Sequence, residues 1–241
     1  MSILIDAGIL LASYLFGSIP FGLLIVKLAT GKDLRKVESG RTGGTNAMRA
    51  AGFAAGFGTA LLDILKSAAT VWLAKYFSPS NAWIHLLAPV MAVIGHNHSI
   101  FLIERRPDGR LHLRGGAGGA AALGGTFGLW WPALPIMLPL GIVIWWVFGY
   151  ASVTTLSIGL MTMIIFAIRA ALGLGPWEYV LYGLLAELLM VWALRPNLKR
   201  LLNGTERRHG LPVMLQQQKE ARLNAARSAG PGNDAGDDKE N

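Results

Sequence analysis

The sequence predicts an all-α polytopic membrane protein with seven transmembrane helices, its N-terminus outside and its C-terminus cytoplasmic. Three observations predict it. Of 241 residues 53% are hydrophobic and 15% charged, against roughly 25% charged in soluble domains, so the chain lacks the polar skin a soluble core of this size needs. Its apolar residues gather in stretches near the roughly 20 residues that cross a hydrocarbon layer of about 30 Å. Its cations gather in the segments that follow the first, third and seventh of these stretches, the pattern of loops kept in the cytoplasm. The formal net charge of +8 is accounted for by those loops, and no nucleic-acid partner is expected. Cysteine is absent, which excludes a thiolate nucleophile, an acyl thioester on the protein, a disulfide and a Cys-bound metal. Any nucleophilic chemistry must use oxygen, nitrogen or the substrate itself.

Taken in order, the first span runs from about Ile3 to Val26. It has no basic residue before it and is long enough to cross, so it reads as a retained helix rather than a cleavable signal. The second covers about Ala50 to Ala74 and carries Asp63 and Lys66, which stand three apart and can pair on one face. The third runs from about Trp83 to Ile103. The tract from Ala117 to Gly149 is too long for one helix, and Trp131-Pro132 divides it into the fourth and fifth. The sixth covers about Val153 to Leu172 and the seventh about Trp177 to Leu194, separated at Leu174-Gly175-Pro176. Lys27 to Arg49, Arg105 to Arg114 and Arg195 to Arg208 then hold the cations on one side. An integral membrane domain is thus expected over residues 1–213, followed by a polar, disordered tail over 214–241.

Three segments carry unusual polar chemistry, all on the side assigned to the cytoplasm. In the first, Glu38-Ser39-Gly40-Arg41-Thr42-Gly43-Gly44-Thr45-Asn46 precedes Arg49. Small residues let backbone N–H groups approach an anion while hydroxyl, amide and guanidinium groups add donors, so the segment suits phosphate; it equally suits a basic loop resting on anionic headgroups. The second joins Gly95-His96-Asn97-His98 to Arg114-Gly115-Gly116-Ala117-Gly118-Gly119. Glycines opening a helix leave N–H groups free for an anion, or simply allow close helix packing. His96 suits hydrogen bonding or proton handling; no metal site is expected, since no Cys, Asp or Glu stands near it. In the third, Leu198, Leu201 and Leu202 repeat at helical spacing opposite Lys199 and Arg200, which predicts a short interfacial helix. Ser152 lies in the turn expected between the fifth and sixth helices.

In this order and spacing the segments resemble the bacterial acyl-phosphate:glycerol-3-phosphate acyltransferases, the PlsY family. Gly17-Ser18-Ile19-Pro20-Phe21-Gly22, Ser39-Gly40, Thr45-Asn46, Arg49 and Leu62-Asp63 to Lys66 carry the first part of the likeness. Gly95-His96, Phe101-Leu102 and Arg114-Gly115-Gly116 carry the second, and Asn197, Arg200-Leu201-Leu202, Gly204 and Glu206 the third. The resemblance spans about residues 10 to 208. It implies a multi-pass enzyme of the bacterial inner membrane that moves a fatty acyl group from acyl phosphate to the sn-1 hydroxyl of glycerol 3-phosphate. It implies catalytic roles for Ser39, Arg49, Asn197 and His96. Substrate binding falls to Thr45, Asn46, Gly115, Gly116, Gly118, Ser152 and Glu206, and the cations that two phosphate-bearing substrates call for are nearest at Arg41, Arg114 and Arg200. No cofactor is implied; the expected partners are acyl phosphate, glycerol 3-phosphate and the bilayer, with the chain a monomer.

Three positions depart from the family pattern. Ala117 stands in place of a lysine, Leu194 in place of a histidine, and Arg41 in place of an asparagine. Losing a charge-assisted hydrogen bond costs about 1.5–3 kcal/mol, or roughly 10- to 150-fold. The expectation is that Arg41 supplies charge missing at Ala117. The alternatives are a weakened paralogue that binds acyl phosphate or lipid intermediates, and a small-anion transporter; against the latter, no internal repeat is found and the polar motifs crowd one face. A mechanism resting on His-x-x-x-x-Asp is excluded, because none of the five histidines has Asp five residues on.

Overall fold

In the computed structural model, residues 2–228 are described, and they form ten α-helices and one β-hairpin. The first expected span is two helices, α1 (Ser2–Gly17) and α2 (Phe21–Thr30), broken at Ser18-Ile19-Pro20. Pro20 lacks an N–H and so cannot continue the ladder of α1. The second is likewise divided into α3 (Gly44–Ala51) and α4 (Phe53–Phe77), because Gly52 takes a left-handed φ of 86° that ends the first helix. The third stops early: α5 (Ala82–Asn97) gives way to a helical turn at Ile100–Leu102 and then to the hairpin of β1 (Ile103–Arg105) and β2 (Leu111–Leu113). Ile103 pairs with Leu113 and Arg105 with Leu111.

The division at Trp131-Pro132 is as expected, separating α6 (Gly119–Leu129) from α7 (Ala133–Phe148). Then come α8 (Ala151–Ala171) and α9 (Glu178–Leu202). Ser152 therefore lies in the first turn of α8, not in a turn between helices. The expected interfacial helix after Leu194 is instead the continuation of α9 through Pro196. Pro196 has no N–H for Trp192, whose carbonyl accepts from Arg195 Nε at 3.0 Å. The tail also differs from expectation, since Leu211–Ser228 is a further helix, α10, which touches α7; residues 229–241 lie outside the described residues.

Among the described residues, five helical stretches are long and apolar enough to cross a membrane: residues Ile3–Thr30, Phe53–Phe77, Ala82–Leu102, Ala151–Ala171 and Glu178–Leu202, with α6 and α7 as shorter apolar helices. The core lies between α4, α5, α6, α8 and α9, where Val71, Leu86, Val93, Phe166, Tyr182 and Met190 are buried. Close approach is set by glycine. A side chain at Gly124 of α6 would strike the Ile64 carbonyl of α4, and one at Gly17 would strike the backbone of α5 at Ala92. Without a hydrophobic drive between helices in lipid, such small-residue contacts let dispersion hold the bundle. The consequence is that α3, the hairpin, the start of α6, the start of α8 and the end of α9 meet at one end.

Candidate active site

At that end a cavity of about 440 Å³ opens between the loop preceding α3 and the ends of α6, α8 and α9. Its depth is set by the helix breaks. Gly118 caps α6 with a left-handed φ of 96°, so the N–H groups of Gly119, Ala120 and Ala121 begin the helix without intrahelical partners. Gly119 and Ala120 line the cavity, placing the positive end of a helix dipole at its wall.

A continuous hydrogen-bond network fixes the opposite wall. Arg41 Nη1 donates to Asn197 Oδ1 at 2.7 Å and Nη2 to the Ala193 carbonyl at 2.5 Å. Asn197 Nδ2 donates in turn to Glu206 Oε1 at 3.0 Å, and the Ser152 hydroxyl donates to Glu206 Oε2 at 2.6 Å. One carboxylate thus joins α8 to α9 and, through Asn197, to the Arg41 loop. Asn46 is buried, and its Nδ2 lies within reach of three carbonyls of that loop, Arg41 at 2.8 Å, Val37 at 3.0 Å and Leu34 at 3.3 Å. It holds the loop in shape. Ser39 and Thr45 stay exposed at the rim.

The charge balance favours an anion. Burial, then the neighbouring Arg200, pushes the Arg41 guanidinium below its usual value, with Glu206 opposing. Burial and Arg207 do the same to Arg49, against Glu38 and Glu206. Both remain cations, since arginine does not deprotonate in proteins, so an entering phosphate would relieve unfavourable desolvation. Arg49 Nε is buried without a hydrogen-bond partner. Ala117 and Leu194 line the same cavity as Arg41.

Beneath the cavity lies a buried charged cluster. Lys66 Nζ is 2.7 Å from Asp63 Oδ1, both side chains 1% exposed, and it donates to the Ile19 carbonyl at 2.9 Å in the break between α1 and α2. His96 Nδ1 lies 3.4 Å from Asp63 Oδ1 and 3.1 Å from Lys66 Nζ. The sequence reading treats Asp63 and Lys66 as a pair within one helix and misses their union with His96. The signal was an ion pair inside a membrane segment, which is costly and seldom without purpose. Asp63 and His96 both reach the cavity wall.

Of the residues expected at the site, Ser39, Arg41, Thr45, Asn46, Arg49, His96, Gly118, Ser152, Asn197, Arg200 and Glu206 come together around this cavity. Arg114, Gly115 and Gly116 do not; they line an adjoining cleft of about 880 Å³ between the hairpin and α9. Arg114 Nε is 2.5 Å from Glu104 Oε2, and its Nη1 donates to the Arg35 carbonyl at 3.1 Å, so its charge is already engaged. The Gly116 N–H donates to the His96 carbonyl at 2.8 Å and is not free for an anion. Sequence reasoning also misses His209, whose Nε2 lies 2.7 Å from Arg49 Nη2. Among the described residues no group of three or more His, Asp or Glu side chains could hold a metal ion.

Apolar spans closed at one end by a cationic, hydroxyl-lined cavity define an integral membrane protein. The family described as glycerol-3-phosphate acyltransferase matches residues 7–204, and the chain belongs to that family. It is 39% identical over 202 residues to a glycerol-3-phosphate acyltransferase of Thermus thermophilus, covering 83% of this chain and 94% of that one. It is 34% identical over 207 residues to that of Rubrobacter xylanophilus, covering 86% and 96%. The fold is similar to the crystal structure of PlsY, an integral membrane glycerol 3-phosphate acyltransferase, in its glycerol 3-phosphate form, with TM-score 0.70, 28% identity and coverage of 87% of this chain and 98% of that one. It is also similar to the lysophosphatidic acid form, with TM-score 0.67, 26% identity and coverage of 85% and 95%. The chain is thus a membrane acyltransferase by family.

Proposed function

We propose that this protein transfers a fatty acyl group from acyl phosphate to the sn-1 hydroxyl of glycerol 3-phosphate, giving lysophosphatidic acid and phosphate, the first step of phospholipid synthesis. The observation that carries the reading is the convergence of Arg41, Arg49, Ser152, Asn197 and Glu206 with the N-terminus of α6 on one cavity. An acyl phosphate is a mixed anhydride and needs no thiolate. It needs its phosphate neutralised, its carbonyl oxygen polarised and a hydroxyl held in line. Arg49, with its unpartnered Nε, and the Ser39 rim suit the donor phosphate; Asn197 suits the acceptor; and the α6 N–H groups suit the oxygen on which charge develops. The acceptor oxygen forms the new bond to the acyl carbon as the carbon–oxygen bond to phosphate breaks, and the hydroxyl proton is balanced by the departing phosphate.

Purified protein given palmitoyl phosphate and glycerol 3-phosphate should release phosphate and lysophosphatidic acid in equal amounts, and palmitoyl-CoA should not replace the donor. Turnover with palmitoyl-CoA alone would reject the donor assignment. The placement of apolar Ala117 and Leu194 in the wall supports a second reading, a weakened paralogue that binds acyl phosphate or lipid intermediates. Failure to support growth of a strain lacking this acyltransferase, despite donor binding, would favour it.

The same proposal puts seven spans in a bacterial inner membrane, with the N-terminus outside, the cavity facing the cytoplasm and the chain acting as a monomer. Because the chain has no cysteine, Asp108→Cys in the hairpin turn should react with an impermeant maleimide only from the cytoplasmic side, and Ser80→Cys only from the other.

A further inference from the structure

The segment after α9 is not a loose exit. Gly204 turns it with a left-handed φ of 67°, and the Thr205 and Glu206 N–H groups donate to the Arg200 carbonyl at 2.8 and 3.1 Å. Its Thr205, Glu206 and Arg207 line the cavity. Arg207 Nη1 meets Glu38 Oε1 at 3.0 Å, Arg208 Nε donates to the Tyr150 hydroxyl at 2.5 Å, and the His209 N–H donates to the Gly149 carbonyl at 2.8 Å. The His209 ring stacks on Trp145 of α7 at 5.9 Å and 18°, and its Nε2 lies 2.7 Å from Arg49 Nη2.

That last contact has one chemical solution. A guanidinium has only donors, so His209 Nε2 must accept, with the ring neutral and its proton on Nδ1. The family match ends at residue 204, so His209 lies beyond it.

Resting on the acyl-phosphate reading above, we infer that His209 is a positioning residue: its backbone is held by the Gly149 carbonyl and its neutral ring by the stack on Trp145, the ring aims Arg49 into the cavity, and protonation of that ring releases the guanidinium and weakens anion binding. The groups facing the ring are Arg49 from α3, Glu38 from the loop before it, Trp145 from α7, and Arg207 and Glu206 from its own segment. Burial first, then Arg49 and Arg207, hold its pKa below the ordinary histidine value, while Glu38 and Glu206 oppose. The ring is therefore neutral through the ordinary histidine range and above it, and the contact is lost only as the pH falls below that range through the lowered value, when two cations would face each other.

Sulfate tests this directly, because it is a tetrahedral dianion that does not titrate between about pH 5.5 and about pH 8. Sulfate affinity is measured on the full chain in detergent for the wild type, His209→Gln, which can still accept, and His209→Phe, which keeps the stack on Trp145. Arg49→Ala defines the binding that belongs to this cavity. Wild-type affinity should be weaker at the lower pH, by at most about tenfold; His209→Gln should hold its affinity at both, and His209→Phe should be about tenfold weaker at both, with melting temperatures unchanged. kcat/KM for palmitoyl phosphate should follow the same order. His209→Phe matching the wild type at the higher pH, or wild type and His209→Gln sharing one pH profile, overturns the inference. If the sulfate pattern holds while palmitoyl phosphate is not turned over by the wild type, the functional reading fails and the role of His209 stands.

Discussion

The contact between α4 and α6 and the wall around Asn197 are held by opposite means. Between the helices glycine sets the approach, since a side chain at Gly124 would strike the Ile64 carbonyl and one at Gly128 the Val71 side chain, and only at one end does Lys75 Nζ donate to the Gly128 and Leu129 carbonyls at 2.9 and 2.8 Å. Around Asn197 each group is fixed by a named donor or acceptor, from Arg41 through Asn197 to Glu206 and Ser152. Along most of the first region position is set by volume, and in the second by charge and hydrogen bonding. The helix contact should therefore answer to size with little effect on chemistry, and the wall to charge with little effect on folding.

The sharpest break of that contrast is Arg49→Ala, which leaves a cavity cation missing and should lower kcat/KM for palmitoyl phosphate about 100-fold or more with an unchanged melting temperature. Next, Arg41→Ala should cost about 30-fold, because it removes two short bonds to α9 as well as charge, while Leu194→Ala should cost less than about threefold. Ala117→Lys should restore activity to Arg41→Asn, since both residues face the same cavity; equal, small effects throughout would reject charge replacement. Glu206→Gln should cost about tenfold, since one carboxylate receives both Ser152 and Asn197. The smallest effect on turnover belongs to Gly124→Val. It should destabilise by about 1–3 kcal/mol, read as a lower melting temperature, while the folded fraction keeps its rate.

Five of the seven expected spans were legible because hydrophobic length is a one-dimensional signal, and the division at Trp131-Pro132 because proline and its aromatic neighbour sit at a visible break. Gly52 and Pro20 also stood in plain view, yet both lie inside runs whose hydropathy alone reads as uninterrupted. The hairpin at 103–113 was hidden because three-residue strands are too short for alternation to show. Most of the site was legible as residue types in three motifs. What could not be read was pairing: Asn46 looks like a ligand but its amide nitrogen is taken up by Leu34, Val37 and Arg41, leaving Oδ1 without a partner, and the charge of Arg114 is taken up by Glu104. His209 was invisible because its importance lies in a partner 160 residues away.

If the cavity joins donor and acceptor directly, no acyl group passes through the protein. Intact-mass analysis of the enzyme incubated with palmitoyl phosphate in the absence of glycerol 3-phosphate separates the two routes. Direct transfer leaves an unmodified chain and gives no rapid phosphate burst. A palmitoyl adduct on Ser39 or Ser152, formed with a burst matching the enzyme concentration, would contradict it.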